Sequence, residues 1–106
     1  GGVDLVLETT QYIKQHLDEA ITLNQIAAYI GVNESYLSRV FKSKTGTSIK
    51  NRINTIKMEK AKELLRTTSK KLTDIAFEVG YKDSHYFGSI FKKTQGCTPR
   101  EYRSKD

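Results

Sequence analysis

Ser35, Ser38, Arg39 and Lys42 recur at the i, i+3, i+4, i+7 spacing of one helix face. Fifty residues on, His85, Gly88, Ser89 and Lys92 repeat that spacing, preceded by Ser84 and followed by Lys93. Both sets are small or polar, end in bases and hold no acid. A merely solvated helix in a chain of this charge would mix Glu with Lys. Such a face suits hydrogen bonding and charge neutralisation within a groove of an anionic partner.

Other chemistry-bearing residues are few. Cys97 is the single cysteine, which excludes an intrachain disulfide framework and a cysteine-rich zinc site and fits a reducing, cytoplasmic setting. Cys97 and His85 lack the base and orienting group that an activated nucleophile needs. His16 lies among acids and is expected to have no role. No metal cluster, cofactor motif or phosphate-cradling glycine loop is present, so the expectation is a binding protein and not an enzyme. No apolar run is long enough to span a membrane, and none has the makeup of a signal peptide.

The formal charge of +6 is uneven. Residues 1–35 hold one base and five acids, giving −4, and residues 36–106 hold 17 bases and 7 acids, giving +10. That asymmetry points the later part at a polyanion. The chain opens Gly1-Gly2 without a methionine, as expected of a fragment cut from a longer protein.

Helices must position these faces, because apolar residues recur at helical spacing, with one proline and no strand signal. The first is predicted over about 4–18, capped by Asp4, with Val6, Ile13 and Leu17 on one side. Thr22 and Gln25 have capping-box spacing and open the second, striped by Leu23, Ile26, Ala27 and Ile30 and stopped by Gly31. Asn33 caps the third, with Leu37, Val40 and Phe41 inward and Gly46 at its end. The fourth runs from 48 to about 66, roughly 27 Å at 1.5 Å per residue. Its stripe is Ile49, Ile53, Ile56, Ala61, Leu64 and Leu65.

The plan then restarts. A fifth helix over 72–79 carries Leu72, Ile75, Ala76 and Val79 and ends at Gly80. Lys71 stands at its cap position, which weakens the start. Asp83 caps the sixth, with Phe87, Ile90 and Phe91 inward and Gly96 at its end. Thr98 and Glu101 open the seventh as a capping box, with Pro99 at the first helical position. Tyr36, Tyr81, Tyr86 and Tyr102 are expected to pack in the core or at its rim.

LNQIAAYIG (23–31) lies over LTDIAFEVG (72–80), and SYLSRVFKSKTGTS (35–48) over HYFGSIFKKTQGCT (85–98). Each copy is a short helix, a glycine-containing turn and a second helix, the helix-turn-helix signature. Ala27-Ala28 and Ala76-Phe77 are expected where the first helix approaches the second. The fold class is therefore all-α: two helix-turn-helix units, 1–47 and 67–106, joined by a linking helix over 48–66.

The segment IAFEVGYKDSHYFGSIFKKTQGCTPREYR resembles the DNA-binding domain of AraC/XylS-type bacterial transcription regulators, and the resemblance covers about residues 20–103. It implies recognition helices at about 34–45 and 84–95 in successive major-groove segments, one helical turn or about 34 Å apart. It implies base-reading positions at Ser35, Ser38 and Arg39, and at Ser84, His85, Gly88 and Ser89. Arg39 could pair bidentately with a guanine edge. Lys42, Lys92 and Lys93 are expected to hold phosphates, and Lys44, Lys50 and Lys82 stay open between DNA contact and a solvated surface. Many members carry Ser-Arg where this chain has Gly88-Ser89, which leaves two readings for the second unit, base reading or phosphate holding through Lys92 and Lys93. Ile49 and Arg52 stand where the second copy has Pro99 and Tyr102.

The expected partner is double-stranded DNA, with no metal and no cofactor, in control of transcription. An upstream sensor or receiver domain is expected outside the fragment. The competing reading is a helical module docking on RNA polymerase or a partner domain, for which the first helix, with its acidic surroundings, offers the better surface.

Overall fold

Among the described residues every helix but one begins on a side chain that accepts from its own first turn, which is how the chain sets its boundaries. The computed structural model describes residues 4–105, so the Gly1-Gly2 start lies outside the described residues. Among them are seven helices and no strand: α1 (Leu5–Gln15), α2 (Leu23–Ile30), α3 (Glu34–Thr45), α4 (Ile49–Thr67), α5 (Leu72–Glu78), α6 (Ser84–Gln95) and α7 (Pro99–Ser104). The chain forms two compact units, Gly1–Ile56 and Lys57–Asp106, with α4 running through the boundary.

In the first unit the Asp4 carboxylate accepts from the Leu7 N–H at 3.1 Å and starts α1. The helix ends at Gln15 and not near residue 18. His16 closes it, its N–H reaching the Tyr12 and Ile13 carbonyls, and its ring meets Glu19 at 2.7 Å as the chain turns. Leu17, expected on the helix, sits in that turn and still packs against the core. Thr22 and Gln25 form the capping box of α2 in both directions, at 3.2 and 3.0 Å. Gly31 ends α2 at φ 86°, a left-handed conformation that a side chain would strain. Its N–H and that of Val32 both return to the Ala27 carbonyl. The Asn33 side chain then caps α3. Leu5, Ile13, Ile26, Ala27, Leu37, Phe41 and Ile49 make the core.

The second unit repeats this build. Lys71 starts α5 without a side-chain cap bond, as its type dictates. Gly80 turns the chain at φ 90°, and the Asp83 carboxylate caps α6. Thr98 and Glu101 close the capping box of α7, with Pro99 at its start. Met58, Ala61, Leu64 and Leu65 from α4 cover Ile75, Ala76, Val79, Tyr81, Phe87 and Phe91.

The covering helices correspond as well. Leu5, Thr9 and Ile13 are buried on α1, and 52 residues later Lys57, Ala61 and Leu65 are buried on α4. Lys57 thus occupies a core position and is 6% exposed. Its ammonium donates to the Val79 carbonyl at 3.0 Å and lies 5.5 Å from the Tyr81 ring centroid.

Two expectations are corrected. Ala27 and Ala76 are buried, but Ala28 is exposed and Phe77 is 55% exposed, so only the first residue of each pair faces its neighbour helix. The following residue turns away by about 100°. Tyr81 and Tyr102 pack, but Tyr36 and Tyr86 are 45% and 57% exposed.

Candidate nucleic-acid interface

Burial of Leu37 and Phe41 decides which side of α3 is free. Ser35, Ser38, Arg39 and Lys42 are all exposed on the other side. The helix start is capped: the Asn33 carboxamide oxygen accepts from the Ser35 N–H at 2.8 Å and the Tyr36 N–H at 3.3 Å. The first turn therefore presents Ser35 from a capped backbone. Ser35, Ser38, Arg39, Lys42 and Ser43 line one surface groove with Leu23 and Glu34. Glu34 is the acid that the stripe itself lacks.

The same geometry recurs in the second unit. Phe87 and Phe91 are buried, and the Asp83 carboxylate accepts from the His85 N–H at 2.8 Å. His85, Ser89, Lys92 and Lys93 are exposed, while Ser84 and Gly88 are half-buried. A Cβ added at Gly88 would meet nothing within 4 Å, so the missing side chain is a property of the sequence and not of crowding. Lys92 and Lys93 occupy the last turn of α6, where cations complement the helix dipole. Glu101 carries a carboxyl held below its ordinary range, first by the Thr98 backbone N–H and then by the Thr98 hydroxyl interaction. The Lys92 and Lys105 charges add to that lowering.

The helix after each stripe is anchored in a matching way with different chemistry. The Arg52 guanidinium lies 5.8 Å from the Phe41 ring centroid, where the second unit sets Tyr102 edge-on to Phe91 at 5.7 Å. Ile49 and Pro99 are both buried at the helix starts. The sequence departures at Ile49 and Arg52 leave the arrangement intact.

Among the residues to which the sequence assigned packing and no site role, Tyr36 stands out. The Arg39 guanidinium lies over its ring, 5.5 Å from the centroid. The available signal was the i, i+3 spacing of an aromatic and an arginine. Tyr12, His16 and Tyr29 form a separate aromatic group, with ring centroids 4.1 Å apart for Tyr12–His16 and 5.1 Å for Tyr12–Tyr29. Cys97 is a half-buried free thiol. Among the described residues no group of three His, Cys, Asp or Glu could hold a metal ion. No helix there is long and apolar enough to cross a membrane.

Comparison with known proteins agrees with this geometry. A family described as a helix-turn-helix domain matches residues 26–105. The xylose operon regulatory protein of Escherichia coli (strain K12) is 36% identical over 98 residues. The match takes in 92% of this chain and 25% of that protein, so the chain spans about a quarter of its relative's length. The C-terminal domain of AraT, a response regulator from Geobacillus stearothermophilus, superposes with a TM-score of 0.90 at 39% identity, covering 95% of this chain and 84% of that one. A transcriptional regulator from Chromobacterium violaceum, described as AraC-type DNA-binding domain-containing, superposes with a TM-score of 0.89 at 28% identity over 94% and 89% of the two chains. With two helix-turn-helix units and these matches, the chain belongs to the AraC-type helix-turn-helix family, the DNA-binding domains of transcription regulators.

Proposed function

We propose that the chain binds double-stranded DNA sequence-specifically and so regulates transcription in the cytoplasm, with α3 and α6 as the helices that enter the major groove. The observation that carries this is the exposed stripe of Ser35, Ser38, Arg39 and Lys42 on α3, with Glu34 at its edge, on a side-chain-capped helix start. Ser35, Ser38 and Arg39 read bases in this account, and Arg39 contributes the bidentate donor that suits guanine. Ser84, His85 and Ser89 are the corresponding positions of α6. Gly88 and Ser89 have little reach, so the second unit contributes mainly phosphate contacts through Lys92 and Lys93. Lys42 does the same for the first unit. Residues 1–47 and 67–106 act as the two reading units and 48–66 as the link between them. The chain serves as the DNA-binding part of a longer regulator whose remaining length carries a sensing or receiver function. Its activity is binding and not catalysis.

Selection of bound duplexes from a random pool tests this, because it yields a consensus only if bases are read. Arg39→Ala is expected to lose preference at one base position, worth about 1–3 kcal/mol, while keeping nonspecific binding. Lys92→Ala is expected to weaken binding evenly and flatten the salt slope by about one unit. A pool that returns no consensus, together with salt-insensitive binding, overturns the proposal.

One observation favours a second surface. Tyr12 of α1, His16 at its end and Tyr29 of α2 bring their rings together, and Tyr29 is 59% exposed. Aromatic groups of this kind suit protein docking, with RNA polymerase or a partner domain as the occupant.

A further inference from the structure

Arg39 lines two grooves. One contains Ser35, Ser38 and Lys42, and the other contains Tyr36, Val32 and Val40. Its guanidinium therefore has two sides to choose between, and it rests over the Tyr36 ring. Tyr36 itself is a large aromatic left 45% exposed, on a backbone pinned by Asn33.

We infer that Tyr36 is a positioning residue for base reading, its ring supporting the flat face of the Arg39 guanidinium so that the N–H fork points outward before DNA arrives. The inference rests on the reading of Arg39 as a base contact. Stacking uses the face of the guanidinium and hydrogen bonding uses its edge, so the two do not compete. An unsupported arginine would freeze its rotamers only on binding and lose affinity to that ordering. Contact with a phosphate tolerates many orientations, whereas a bidentate base contact needs one. Tyr36 should therefore govern discrimination between bases more than affinity for any duplex.

The duplication supplies an internal control. Tyr86 holds the equivalent place, is 57% exposed and sets its ring 6.1 Å from that of Tyr81. The residue three positions later is Ser89, which has no guanidinium to carry. Tyr86 is accordingly silent in base preference.

The test measures binding of the parent chain, Tyr36→Leu, Tyr36→Phe, Arg39→Ala and the Tyr36→Leu/Arg39→Ala double variant. Each is titrated with the selected duplex and with its variants at the base lost in Arg39→Ala. Tyr36→Leu keeps the apolar bulk without the ring and should reduce the discrimination ratio roughly two- to five-fold, the size of an exposed cation–π contact. Tyr36→Phe should restore the ratio, and Tyr36→Leu should change nothing further once Arg39 is gone. Tyr86→Leu should leave the ratio intact. If Arg39→Ala abolishes the preference and Tyr36→Leu does not touch it, this inference fails alone. The same holds if Tyr36→Leu weakens all duplexes equally. If Arg39→Ala leaves the preference intact, the base-contact reading fails first and takes this inference with it.

Discussion

Replacing Lys57 by methionine isolates the cost of losing one buried ammonium. The side chain is 6% exposed, and its Nζ donates to the Val79 carbonyl at 3.0 Å, at the end of α5. Carbonyls there lack a partner within the helix, and a cation also complements the dipole. Methionine keeps the apolar stem in the core and removes the donor. A hydrogen bond from a charged group contributes about 1.5–3 kcal/mol, and relief of lysine desolvation offsets part of its loss. The expected net loss is about 1–2 kcal/mol. In a chain of this size that lowers Tm by about 4–8 °C per kcal/mol. Urea unfolding followed by far-UV circular dichroism should show an earlier midpoint with an unchanged slope. The same bond pins the turn that aims α6, so DNA binding by Lys57→Met should fade at a lower temperature than that of the parent. A midpoint equal to or above the parent's would refute the reasoning, because burial of the charge would then cost as much as the bond contributes.

Thr9 is fully buried, and its hydroxyl has no partner among the described residues. Thr9→Val should therefore raise stability by about 1 kcal/mol, read as a later urea midpoint. Gly88 lies in the interior of α6 with open space at its Cβ position, so Gly88→Ala should stabilise by about 0.5–1 kcal/mol in thermal unfolding. The Tyr81 hydroxyl is pushed up to about 12 from 10, first by burial and then by the neighbouring Tyr86. A raised folded value favours the protonated, folded form, so its stabilisation is full below pH 10 and is lost as pH rises towards 12. Tyrosinate absorbance should show one late-titrating group that vanishes in Tyr81→Phe. Its persistence would assign the shift elsewhere.

Much of this architecture could be read locally. Asp4, Thr22, Asn33, Asp83 and Thr98 cap helices because their side chains reach only three residues along the chain. Gly31 and Gly80 mark turns because the turns need positive φ. The outward faces follow from which residues are apolar, and Ser35, Ser38, Arg39 and His85 are exposed as that logic requires. What escaped the sequence depends on distant partners. Lys57 looks like a solvated lysine until Val79, 22 residues away, supplies its acceptor. α1 ends at Gln15, where His16 closes it and meets Glu19 in the turn that follows, a contact that periodicity does not report. Tyr36 and Tyr86 look like packing residues by type, and only the register of α3 and α6 turns them to the surface. The i, i+3 spacing allows the Arg39 guanidinium to meet the Tyr36 ring, but its placement there is a side-chain position that spacing alone does not fix.

Backbone amide shifts recorded while titrating the labelled chain with its selected duplex test the central claim most directly. The account predicts shifts concentrated at the starts and exposed faces of α3 and α6, at Ser35, Ser38, Arg39 and Lys42 and at Ser84, His85, Ser89, Lys92 and Lys93, reversed by added salt. Shifts gathered instead around Tyr12, His16 and Tyr29, with α3 and α6 unmoved, would contradict it.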